Sequence, residues 1–176
     1  MGKPSLEMLK KASRCFSGYI IGGTVLEKKD SAYYNTCPVF KSGRLLASYR
    51  KINLVQDDRD LNVSPGKETV TLDTPFGRIG LLICADVIVT DLVEKVASKS
   101  DHLFIPMSLT DPNHPKYEGH PISVRIARKY GATVVGMSRV NTFSRHKLTS
   151  KSAVVTPHDG VIFEAVADEK LAVIGL

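Results

Sequence analysis

Cys84 closes the apolar run Ile79-Gly80-Leu81-Leu82-Ile83, and Ala85-Asp86-Val87 follow it at once. An apolar strand that stops at a thiol and passes into a helix has the geometry of a nucleophile elbow. A cysteine placed there lies near the positive end of the helix, whose dipole and free N–H groups lower a thiol pKa from about 8.5 and stabilise an oxyanion. The competing reading is a buried cysteine that merely ends a core strand, since free Cys is among the most buried residue types. A second reactive group stands in Ser48-Tyr49-Arg50-Lys51-Ile52-Asn53-Leu54, where Lys51 ends a strand just before a polar loop. An ammonium beside a thiol favours the thiolate and can hold negative charge developing on a substrate; taken alone, Lys51 would pass for a solvated strand-end lysine.

His102, His114 and His120 all follow Cys84, so a Cys-His enzyme is the nearest mechanistic rival, but none has a distinctive motif around it. The histidines lack HxxxH spacing, and the Asp57-Asp58-Asp60 cluster lacks the glycine and glutamate of a calcium loop. No metal and no organic cofactor is expected. Glu118, in a Pro-rich loop, is a candidate pocket residue, with a solvated loop carboxylate as its plainer reading.

The elements that must position these groups follow from the residue pattern. Leu6, Leu9 and Ala12 among lysines suit a short amphipathic helix. Tyr19 to Leu26 reads as a buried strand made irregular by Gly22 and Gly23. YYNTCPVF, the turn Lys41-Ser42-Gly43 and a strand from Leu45 to Asn53 form a hairpin. Val55 to Lys67 is a polar loop that returns to the sheet at Ser64-Pro65-Gly66, and a second hairpin turns at Pro75-Phe76-Gly77 into the strand ending at Cys84. A helix is expected over residues 86–98, N-capped by Asp86 or Thr90, then the strand HLFIPMSL, a helix over 122–130 stopped by Gly131, and the strand TVVGMSRV. SAVVTP, VIFEAVA and LAVIGL complete the chain as antiparallel strands. Hairpins mixed with strand-helix-strand units call for a mixed sheet in one α/β domain spanning residues 1–176.

Bulk properties narrow the function classes. With 176 residues and 43% apolar composition the chain can bury an ordinary core. Its 24 basic and 18 acidic residues leave a net charge of +6, but the basic residues are scattered and lack interleaved aromatics or a groove-reading motif, so nucleic acid is not the expected partner. Cys15, Cys37 and Cys84 are odd in number and lack CxxC spacing, which suits reduced thiols in the cytoplasm. The start MGKPSLEMLKK holds no apolar signal core, and no apolar run approaches the ~20 residues of a membrane span.

Taken as an ordered series, YNT, a glycine turn, YRKINL, a loop ending in SPG, TPFGRIGLLICAD and a following strand ending in proline resemble the nitrilase, or carbon-nitrogen hydrolase, family from about Tyr19 to Asn141. The resemblance implies a nitrilase-like αββα sandwich with mixed sheets, incomplete at its N-terminus, and a Glu-Lys-Cys triad of which Lys51 and Cys84 are two members. The family's general-base glutamate sits on an early strand upstream of segments resembling SLEMLKKAS and GYIIGGTV. Glu7 and Glu27 fall on other elements and are not assigned to it. An acidic residue is common in the family's loop after the lysine, and Asp58 or Asp60 is the counterpart expected here. Where the family often reads an aromatic or Arg and then Phe-Pro-Glu after the nucleophile, this chain has Ala85 to Thr90, so its pocket wall should differ.

The activity implied is hydrolysis of a linear amide, carbamoyl compound or nitrile: Cys84 attacks, ammonia or an amine leaves, and water hydrolyses a thioester, with the Ala85 N–H and the Lys51 ammonium holding the oxyanion. A catalytically silent relative serving as a binding or assembly module is the alternative, and a basic nucleic-acid-associated domain a third. Absent sheet strands should leave an open edge, so a homo-oligomer is expected.

Overall fold

The computed structural model describes residues 2–108, 119–140, 142–143, 146–147, 151–166 and 169–175. Helix α1 (Lys3–Arg14) starts with Pro4 in its first turn and ends with Lys11 and Arg14 in its last, where their charge complements the helix dipole. Leu6 and Leu9 are half-buried, but Ala12 is exposed and the buried residue of this turn is Ser13. The Ser13 hydroxyl donates to the Lys10 carbonyl (2.9 Å) and accepts from the Gly43 N–H (2.9 Å), so a polar contact rather than Ala12 fastens the end of α1 to the sheet.

That sheet is an antiparallel meander: β1 (Ile20–Ile21) and β2 (Val25–Lys29) lie along one edge of β3 (Ala32–Lys41), and β4 (Arg44–Arg50) along the other. The break between β1 and β2 falls at the predicted glycines. A Cβ on Gly22 would stand 2.5 Å from Leu9 Cδ1, so the bare backbone is what lets α1 sit this close. Ser42 and Gly43 both have positive φ (49° and 76°), the conformation that matches strand twist in a two-residue hairpin.

Beyond β4 the expected loop contains a short helix, α2 (Gln56–Asp60), whose Val55 N–H is capped by the Asp58 carboxylate at 3.0 Å. The chain then returns as expected: Ser64 N–H bonds to Tyr33 O (2.7 Å) and Gly66 N–H to Lys51 O (2.8 Å). Only glycine fits at position 66, since a Cβ there would lie 2.1 Å from Arg50 O.

The second sheet has the order β12-β11-β8-β7-β6-β5. Its centre is parallel, β6 (Gly77–Leu81), β7 (His102–Met107) and β8 (Thr133–Ser138), linked through α3 (Thr90–Ala97) and α4 (Gly119–Tyr130). Its flanks, β5 (Thr71–Thr74), β11 (Lys151–Thr156) and β12 (Gly160–Val166), are antiparallel, so the sheet is mixed. A two-stranded ribbon, β9 (Thr142–Phe143) with β10 (His146–Lys147), stands apart. The expected final strand does not form: residues 169–175 are irregular, with Leu171 94% and Val173 99% exposed. A β-forming composition makes no strand without a neighbouring edge and an apolar face to cover.

Register explains the layering. Gly80, Leu103 and Val134 share one face of the parallel sheet, where a Cβ on Gly80 would meet Val96 and Ser100, so α3 and α4 cover that side. Ile79, Leu81 and Phe104 point the other way, into one cluster with Cys37, Val39 and Tyr49 of the meander. Helix, sheet, sheet, helix is the resulting αββα order. No described helix is long and apolar enough to cross a membrane.

Candidate active site

In a sheet with parallel strands, the crevice at the strands' carboxyl ends is where side chains from several elements converge. Here β6 leads to Cys84, β7 to Ser108 and β8 to Arg139, all three lining one cavity of about 300 Å³. The meander supplies the opposite wall through Thr24, Asn35 and Lys51, and α2 adds Asp57 and Asp58.

Cys84 is placed by a sharper device than a strand end. Strand β6 stops at Leu81, and Leu82 N–H still bonds to Phe104 O (3.1 Å). Ile83 is extended (φ −125°, ψ 116°), and Cys84 then takes φ 47° as the first residue of the 3₁₀ turn Cys84–Ile88. A non-glycine residue held in this left-handed region costs on the order of 1–3 kcal/mol and persists only where its surroundings over-determine it. The reversal points a half-buried thiol into the cavity rather than into the core.

The element after Cys84 is therefore a five-residue 3₁₀ turn, with α3 starting only at Thr90. This corrects the expected helix over residues 86–98 and weakens the dipole argument, because a short turn aligns few peptide groups. Burial dominates the thiol and raises its pKa, while the Lys51 charge and the backbone N–H groups of Ser108 and Ala85 pull the other way. Neither expected cap serves α3 either: Val89 precedes it, and Asp86 caps the 3₁₀ turn by accepting from Ile83 N–H (2.8 Å).

Lys51 is 3% exposed. Its ammonium pairs with the Asp58 carboxylate, which also accepts from Asn35 Nδ2 (3.2 Å) and Val55 N–H (3.0 Å). A buried ion pair survives only when its remaining lone pairs are met in this way. Of the two acidic candidates it is Asp58 that reaches the cavity. Asp60 is exposed and accepts from Gln56 Nε2 (2.7 Å) one helical turn back, so the pocket role expected for it is corrected. Glu118 and His114 lie outside the described residues. His102 opens β7, at the far end from Cys84, with Nε2 2.9 Å from Phe76 O, which argues against it as a partner for the thiol.

Glu27 accepts a two-pronged contact from Arg50 (3.0 Å at both oxygens) and a hydrogen bond from the Thr36 hydroxyl (2.8 Å). Several groups were not legible beforehand: the Ser108 N–H beside the thiol, Asn35 on Asp58, and the buried Asp86. Ser108 carried one usable signal, its position just past the strand that pairs with the Cys84 strand.

The profile of the family described as "Carbon-nitrogen hydrolase" matches residues 1–168. The chain belongs to the carbon-nitrogen hydrolase family. Human omega-amidase NIT2 is 36% identical over 113 residues, which are 59% of this chain and 41% of that protein. A chloroplastic omega-amidase of Arabidopsis thaliana is 36% identical over 109 residues, 57% of this chain and 30% of its own length. This family member thus spans well under half of the curated relatives it matches. Among solved structures, Saccharomyces cerevisiae Nit3, a nitrilase-superfamily protein, superposes with a TM-score of 0.85 at 24% identity, covering 95% of this chain and 62% of Nit3. An amidase from Nesterenkonia sp. AN1, seen with acrylamide added at its active-site cysteine, gives a TM-score of 0.84 at 18% identity and covers 95% of this chain and 66% of its own. At these identities the likeness is one of fold, and it agrees with the αββα order.

Proposed function

We propose that this chain carries the thiol and ammonium half of an amidase site acting on small linear amides, with Cys84 as nucleophile and Lys51 as its cationic partner. The observation that carries this reading is the strained backbone at Cys84, which aims the thiol into the cavity that Lys51 also lines. Cys84 adds to the amide carbonyl, ammonia departs with the proton given up by the thiol, and water converts the thioester to acid and free thiol. The oxyanion is held by the Ala85 and Ser108 N–H groups with Lys51. Because burial keeps Cys84 protonated near neutrality, a base must take its proton as it attacks. Asp58 is committed to Lys51, Asn35 and Val55, so the base is not among these residues. Omega-amidases among the relatives and an amidase structure with butyramide favour amides over nitriles.

The commitment of Asp58 to Lys51, Asn35 and Val55 also fits a second reading, a silent relative that keeps the fold and binds without turnover. Ammonia release from butyramide and from the monoamide of a dicarboxylic acid, with intact-mass spectrometry for an acyl adduct, separates the two. The amidase reading expects ammonia that is lost in Cys84→Ser, or a stoichiometric acyl adduct on Cys84. Neither ammonia nor adduct, with Cys84 labelling no faster than it does in unfolded protein, overturns it in favour of the silent one.

A further inference from the structure

Asp86 has no part in the chemistry above, yet it is a fully buried carboxylate with three donors. Its Oδ2 accepts from the Tyr49 hydroxyl (2.7 Å) and the Ile83 N–H (2.8 Å), and its Oδ1 from the Asn53 N–H (2.7 Å). Asn53 adds a bond from its own Nδ2 to the Ala85 carbonyl (2.7 Å). Tyr49 and Asn53 stand two residues before and two after Lys51, Tyr49 in β4 and Asn53 in the bend that follows it. Ile83 and Ala85 are the immediate neighbours of Cys84. The Asp86 carboxylate thus holds the residues on both sides of Lys51 and the residue before Cys84, while Asn53 holds the residue after it; the bonds to Tyr49 and Asn53 span 37 and 33 residues of sequence.

We propose that Asp86 is a positioning residue, a clasp that locks the segment bearing Lys51 to the turn bearing Cys84 and so sets the lysine-to-thiol geometry on which the reactivity of Cys84 depends. The proposal rests on the reading of Cys84 and Lys51 as the reacting pair. Burial keeps the Tyr49 phenol protonated, so it stays a donor; burial also pushes Asp86 up, and the three donors counter only part of that rise. The clasp also explains how φ 47° is tolerated at Cys84: the residues on both sides are held by bonds that a relaxed backbone would break.

The test is the rate at which iodoacetamide alkylates Cys84, followed across pH by peptide mass spectrometry on the full chain, with exposed Cys15 as internal reference and a melting curve as fold control. Asp86→Asn sets an amide N–H against a backbone donor and can unfold the protein, so Tyr49→Phe, which removes one hydroxyl, is the working variant. The expected result is a fall of about tenfold in the Cys84 rate of folded Tyr49→Phe at pH 7.5, an unchanged Cys15 rate, and loss of that fall when Lys51→Met is already present, because coupled residues act non-additively. A lower melting temperature with an unchanged Cys84 rate and pH profile overturns the proposal and leaves the clasp purely structural. An equal fall with and without Lys51→Met also overturns it. If Lys51→Met alone leaves Cys84 unaffected, the reacting pair itself is refuted, and the proposal falls with it.

Discussion

Arg50 and Lys51 are adjacent, carry the same charge and each meet a carboxylate, yet they do opposite things. Arg50 turns outward to Glu27 in a fork-like pair, with its guanidinium 4.1 Å from the Tyr34 ring and the two side chains 26% and 23% exposed. Lys51 turns inward to Asp58, where the side chains are 3% and 9% exposed, beside the thiol of Cys84. A strand's alternation sends neighbours to opposite faces, and the dielectric of each face decides what a charge there is worth. In water the pair is marginal; in the cavity wall it is a constraint that chemistry can use.

The largest contrast should come from breaking each pair at its acid. Asp58→Asn leaves an ammonium buried without its counter-ion and should cost about 3–5 kcal/mol in urea unfolding. Glu27→Gln on the outer face should cost no more than about 1 kcal/mol. Equal losses would erase the distinction between the faces. Next in size is the cation itself: Lys51→Met should lower the rate of acyl transfer at Cys84 by about 10²–10³-fold, the worth of one preorganised oxyanion donor, whereas Arg50→Met stays within about twofold. A comparable loss in Arg50→Met would place the functional face on the wrong side of the strand.

The cysteines sharpen the same contrast through pH. Cys37 is fully buried and its pKa is pushed up to about 12, so it should stay unlabelled until the chain unfolds. Cys84 is also raised by burial but opposed by Lys51, so its alkylation should climb with pH through a midpoint above that of an ordinary thiol and move higher still in Lys51→Met. A Cys84 midpoint unmoved by that substitution would mean the ammonium does not reach the sulfur.

The smallest effect belongs to the acid limb of stability. Glu27 has its carboxyl held below the ordinary 4.5: burial would raise it, but bonds from Arg50 and Thr36 and the Arg50 charge outweigh that. A depressed folded-state pKa contributes stability that is present above 4.5 and lost as pH falls through the lower, folded value. Glu27→Gln should therefore lower the melting temperature slightly above pH 4.5, with the difference from the parent protein disappearing as pH falls through the lower, folded value. Solvent screening keeps the change small.

Much of the scaffold was legible because its signals are local. The Lys41-Ser42-Gly43 turn, the glycine break at 22–23 and the return at Ser64-Pro65-Gly66 each depend on a few adjacent residues whose backbone preferences are strong. The ordered motifs from Tyr19 to Asn141 were enough to point to the family, and so to the αββα layering. Legibility failed where a distant partner decides. Residues 171–175 have strand composition and pair with no edge. The missed α2 is by contrast a local device, in which the Asp58 carboxylate accepts from the Val55 N–H three residues back. Asp58 and Asp60 look alike on paper; one helical turn directs one to Lys51 and the other to Gln56.

The amino-acid sequence by itself determined the period of each segment, the punctuation between segments and the residue types able to react, since those follow from backbone sterics and side-chain chemistry. Only the tertiary structure decided that burial outweighs Lys51 at the Cys84 thiol, and that Asp86, 35 positions beyond Lys51, lies between the two segments as a common acceptor. Desolvation and long-range hydrogen bonds depend on what surrounds a group in space, and a linear order of residues does not specify those surroundings.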